Sequence, residues 1–197
     1  MFRAIEFPVM PAAPFIRMVL LALGLLFGLG AAKDREETLF LFENRQVTFA
    51  LPPGFGFATS KSDEGVFTVT IADKKDRAAL QVMFLPDPDG RFATERYRKE
   101  FIFENFKHLL EASAEKVMQF QELGPRLGVG TYCAFTDEAL AGKTKLPAGV
   151  FPHSIAGLKT WSGVVAVFTL HSKGAATKEH QALMSLLRES VQEARRG

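Results

Sequence analysis

Arg17 is followed by an uncharged apolar run, Met18–Gly30, which ends at Ala31-Ala32 just before the charged stretch Lys33-Asp34-Arg35-Glu36-Glu37. At about 1.5 Å per helical residue such a run reaches roughly 20 Å, well short of the roughly 30 Å hydrocarbon core of a bilayer. A basic flank, a short apolar stretch and small residues at Gly30 and Ala32 are the parts of a secretory signal, with cleavage expected after Ala32. The sequence therefore predicts a signal peptide over 1–32 and a single exported domain over 33–197. It also predicts a periplasmic or secreted location, with no stable membrane anchor after cleavage.

Composition limits what that domain can do. With Arg3, Arg17 and Glu6 removed, 24 basic and 22 acidic side chains become 22 and 21. A near-neutral body has little long-range field to steer it onto nucleic acid or anionic lipid, and nucleic acid is not expected as a partner. There are 19 Phe against 2 Tyr and 1 Trp, an aromatic set suited to burial because most of it carries no polar handle. The single cysteine, Cys133, excludes an internal disulfide and sits in the alternating run Thr131-Tyr132-Cys133-Ala134-Phe135, where it reads as a buried apolar residue.

Alternation then sets the elements. Thr38–Phe42 and Gln46–Leu51 flank Glu43-Asn44-Arg45 as a hairpin, and Val66–Ala72 and Ala78–Leu85 repeat the pattern around Asp73–Arg77. After Pro86-Asp87-Pro88-Asp89-Gly90 the spacing predicts a helix over 94–115. Thr94 is its candidate cap, and Ile102, Phe103, Phe106, Leu109 and Leu110 form its core stripe. Strands are expected at Val117–Leu123, Leu127–Thr136, Val150–Leu158 and Trp161–His171. A closing helix over 178–194, capped by Thr177, carries Leu183, Leu186, Leu187 and Val191 on one side. The expected class is α+β, a central antiparallel sheet flanked by helices in an α-β-α sandwich, with element order ββββ-α-ββββ-α.

This layout, with the strand and turn Val47-Thr48-Phe49-Ala50-Leu51-Pro52-Pro53-Gly54-Phe55, resembles the PsbP/Mog1-like group. The resemblance covers residues 38–195 and implies a sheet sandwiched between helices and an accessory or binding role. No metal-binding residue of that group can be matched here one by one, and fold likeness alone does not carry function.

Motifs for chemistry are sparse. His108, His153, His171 and His180 form no H-E-x-x-H and no pair at helical spacing, so no metal site is expected. Gly128-Val129-Gly130 opens a strand rather than a helix and cannot aim helix-start amides at a pyrophosphate, so no nucleotide cofactor is expected. Asp87 and Asp89 beside Gly90 lack the closing glutamate of a calcium loop and read as a turn. Ser154 follows His153, but strand neighbours point to opposite faces, and Phe151-Pro152-His153-Ser154-Ile155 is not a G-x-S-x-G elbow.

Two features suggest contact with a partner. Tyr97, Phe101, Glu104 and His108 fall within a narrow arc opposite the core stripe, and aromatics on a wet face are common in binding hot spots. The other reading of that arc is that a loop covers it. Residues 137–149, with Lys143 and Lys145, form a connection long enough to be functional or simply flexible. The expected function is that of an exported, non-catalytic accessory or binding protein engaging a protein partner. The alternatives are a small-ligand or lipid-binding domain with a Phe-lined cavity, and an envelope hydrolase using His153 or His171 with a nearby nucleophile.

Overall fold

The structure, a computed structural model, describes residues 35–42, 45–124, 128–143, 145–190 and 192–193. The signal peptide assigned to 1–32, the turn residues Glu43 and Asn44, and Val191 lie outside the described residues. Among the described residues no helix is long and apolar enough to cross a membrane.

Alternation produces strands wherever it is sustained. β1 (Arg35–Phe40) and β2 (Gln46–Leu51) pair antiparallel, and a two-residue strand after the last helix joins the free side of β2. β3 (Phe55–Lys61), β4 (Phe67–Asp73), β5 (Ala78–Pro86), β6 (Gln121–Glu122), β7 (Val129–Thr136), β8 (His153–Trp161) and β9 (Val164–Ser172) form a seven-stranded sheet in the order β3-β4-β5-β9-β8-β7-β6. All its pairings are antiparallel. The β8–β9 turn, Ser162-Gly163, has φ of 43° and 79°, the positive pair that matches strand twist in a two-residue hairpin.

The two faces of this sheet are covered differently. On one, Val69, Ile71, Leu80, Val82, Phe84, Phe168 and Leu170 pack with Val47, Phe49 and Leu51 of the small sheet and with Leu183, Met184, Leu186 and Leu187. Those last residues belong to α2 (Lys178–Ser185) and the π-helical turn Leu186–Ser190 that continues it. On the other face, Cys133, Phe135, Ala156, Leu158, Val165 and Val167 pack under Ile102 and Phe106 of α1 (Glu95–Glu111). Phe49, Phe84 and Phe168 retain almost no exposed surface in this close-packed core, whereas Phe40 and Phe103 are exposed.

This architecture corrects the α-β-α sandwich and the ββββ-α-ββββ-α order, together with the layered arrangement that the PsbP/Mog1-like resemblance implies. The fold is dominated by strands, and a small sheet occupies much of one face where a helical layer was expected. Phe55–Lys61 adds a fifth strand before the first helix, and Gln192–Glu193 adds one after the second. The helices are short: α1 has 17 residues, and α2 has 8 before the chain passes into the π-helical turn. Of the expected strand 117–123, only Gln121–Glu122 pairs.

Candidate functional site

The roll of α1 about its axis decides which aromatics reach solvent, and a buried arginine sets that roll. Arg98 Nε donates to Thr131 Oγ1 at 2.8 Å, and its Nη1 donates to the carbonyls of Phe92 at 3.1 Å and Ala93 at 2.8 Å. Glu122 Oε2 lies 3.6 Å from Nη2. A buried guanidinium is tolerable only with its donors satisfied, so these bonds lock the helix to β7 and to the turn before it. With Arg98, Ile102 and Phe106 inward, Phe103 leaves the expected core stripe and is 46% exposed.

The same roll redistributes the arc Tyr97, Phe101, Glu104 and His108. Tyr97 is 46% exposed, and Glu104 and His108 are exposed, with Glu104 Oε2 3.3 Å from Lys107 Nζ. Phe101 is half-buried and meets the edge of Phe92, ring centroids 5.3 Å apart at 90°. The solvent face of α1 is thus bounded by Tyr97 on one side and Phe103 on the other. Beside Phe103 runs a shallow open groove of about 270 Å³ lined by Lys99, Glu100, Phe103, Glu104 and Phe120. Lys99 Nζ lies 5.5 Å from the centre of the Phe120 ring, so the groove has an aromatic floor and a rim of mixed charge.

Lys143 and Lys145 are exposed, on the connection between β7 and β8. The connection is pinned at both ends. Glu138 N–H donates to Ala112 O at 3.0 Å near the end of α1, and Lys173 Nζ donates to Pro147 O at 2.8 Å and Val150 O at 2.7 Å. Thr94 stands at the start of α1 but its side chain makes no capping bond. Instead the buried Asp87 carboxylate accepts the N–H groups of Arg91 at 2.9 Å and Phe92 at 3.1 Å, capping the short turn before the helix. Thr177 does cap α2, its Oγ1 accepting His180 N–H at 3.3 Å.

Three imidazoles gather at one end of β8 and β9, which spacing alone did not reveal because the residues lie far apart in the chain. On the α1 face, Ser154 and His171 stand directly opposite each other, Oγ 2.8 Å from Nδ1, with Phe151 stacked on the imidazole. Burial pushes His171 down to about 4, which makes it a weak base at neutral pH. Among the described residues no carboxylate partners its other nitrogen, so the pair reads as a cross-strand bond rather than an activated nucleophile. On the α2 face, His153 and His180 lie with ring centroids 5.4 Å apart, and Ser172 Oγ is 3.0 Å from His180 Nδ1. Among the described residues no three His, Cys, Asp or Glu side chains gather as a metal site.

Cys133 is fully buried, and burial pushes its thiol up to about 11, a structural rather than reactive setting. Compared with protein-family models and with curated proteins, the chain gives no match to either.

Proposed function

We propose that this is an exported accessory or binding protein, non-catalytic, whose protein partner docks on the outer face of α1. The observation that carries the reading is the pair of large aromatics, Tyr97 and Phe103, each 46% exposed at the two edges of one helix face, with the aromatic-floored groove beside Phe103. Exposed rings rimmed by charged residues are the usual composition of a binding hot spot. The basic flank and short apolar run before Lys33 support export.

A ligand cavity within the fold is a weaker reading, because Phe49, Phe84 and Phe168 are occupied in packing. The hydrolase reading has one observation in its favour, the 2.8 Å Ser154–His171 contact, set against an imidazole that is hard to protonate. A photo-crosslinking residue placed at Tyr97 or Phe103 in the native host tests the proposal. One defined adduct from both positions, weak or absent with the same probe at Lys74 in the β4–β5 turn, is the expected result. No adduct, or the same adducts from Lys74, would discard the docking face.

A further inference from the structure

We propose that the His153–His180 pair is an acid-operated latch that releases α2 from the large sheet. His180 sits in the first turn of α2 and is buried, with its ring against His153 on β8 and its Nδ1 against Ser172 on β9. His153 is half-buried, its Nδ1 3.5 Å from Thr136 Oγ1 on β7. A proton on either ring puts a cation into a site with little water and a second imidazole alongside.

The groups around the pair decide the sign. Burial, the neighbouring His153 and Arg188 of the π-helical turn together hold His180 down at about 4. Burial also lowers His153, and Glu115, the one carboxylate acting to raise it, accepts Thr136 N–H at 2.8 Å. Glu179, next to His180, faces away in an ion pair, its Oε1 2.7 Å from Arg77 Nη1. Arg77 in turn binds Asp73 at 2.7 and 2.9 Å. Burial works to raise the Asp73 and Glu115 carboxyls, but the bonds they accept hold both below the usual carboxylate range, so near pH 5 these anions persist. The imidazoles are then the groups whose docked and free states differ in that window.

An ordinary histidine takes up its proton near 6.5 and the docked His180 only near 4, so acid in between favours the undocked helix. Undocking would uncover Leu183 and Met184 together with the apolar sheet face beneath them. Lys159 Nζ, 2.9 Å from Leu187 O, still holds the far end, so opening starts from the Thr177 side.

Native-state hydrogen exchange at pH 7 and pH 5, corrected for intrinsic rates, reads the latch directly. The expected result is that amides of 181–187 lose about twentyfold in protection between pH 7 and pH 5, the ratio that follows from the two proton affinities of His180, and open more readily than those of β8 and β9 at both pH values. H180Q should abolish most of that difference. H153Q, at the half-buried partner, should reduce it while leaving His180 its Ser172 contact and α2 its Thr177 cap, which keeps the test usable if H180Q folds poorly. Unchanged protection of 181–187 between the two pH values, or an undiminished response in H153Q, would overturn the proposal.

Discussion

Lys159 offers the sharpest test of how the C-terminal elements are held. The side chain leaves β8 toward the small sheet and α2, is 1% exposed, and donates to the carbonyls of Leu187 at 2.9 Å and Arg188 at 3.4 Å. Those carbonyls belong to a π-helical turn, and the ammonium serves them as a cap from outside the helix. Burial pushes Lys159 down to about 8, against 10.5 for a free lysine. The unfolded chain therefore keeps this proton between pH 8 and 10.5 while the folded chain gives it up. Stability rises with pH through that window and is lost as pH falls toward the folded value. Between about pH 7.5 and 9.5 the gain is roughly 2 kcal/mol, from the two proton affinities. Urea unfolding at both pH values, on the wild type and on Lys159→Met, isolates the effect, because other lysines and tyrosines titrate alike in both. The substitution also removes the hydrogen bonds to these carbonyls and a buried charge, which act in opposite directions, so the slope is diagnostic rather than the absolute shift. Equal pH slopes in the two proteins would refute the buried-cation account.

Two further outcomes follow from packing alone. A Cβ on Gly157 would stand 2.5 Å from Thr131 O and 2.6 Å from Tyr132 Cβ, against neighbouring β7, so Gly157→Ala should cost about 3 kcal/mol in chemical denaturation, and a loss under 1 kcal/mol would contradict the close approach. Cys133 should resist a thiol reagent at pH 8 in the native protein and react at the rate of unfolding, whereas immediate native-state labelling would mean that the β7 face under α1 is open to solvent.

The strands were legible where apolar and polar residues alternate with few interruptions. Gln46–Leu51, Ala78–Leu85 and Thr131–Phe135 appear in the structure close to their expected places. Phe55–Lys61 escaped notice because after Phe57 its residues are small or polar, and its strand character comes from pairing with β4 rather than from its own pattern. The expected strands Val150–Leu158 and Trp161–His171 put the β8–β9 turn too early, at Lys159 and Thr160. Both are buried instead, Lys159 on the turn carbonyls and Thr160 with its hydroxyl donating to Val164 O at 3.0 Å. Local composition cannot signal a charged side chain whose partner lies 28 residues further along the chain.

The candidate site shows the same limit from another side. Helical spacing put Tyr97 on an outer face, but it assigned Phe103 to the core and Phe101 to solvent, and the structure exposes the first while half-burying the second. Hydrophobicity alone ranks Phe above Arg for burial, and by that rule Arg98 should face water. The guanidinium wins the inner position because Thr131 and two carbonyls of the preceding turn satisfy it, and these acceptors come from elements the helix meets only on folding. One buried hydrogen-bonded group thus rotates a whole apolar stripe and sends a phenylalanine outward beside Phe120. Arg98 lines no part of the groove, and it bears on it through the roll of α1 that turns Phe103 outward, together with Ile102 and Phe106 packed on the same face.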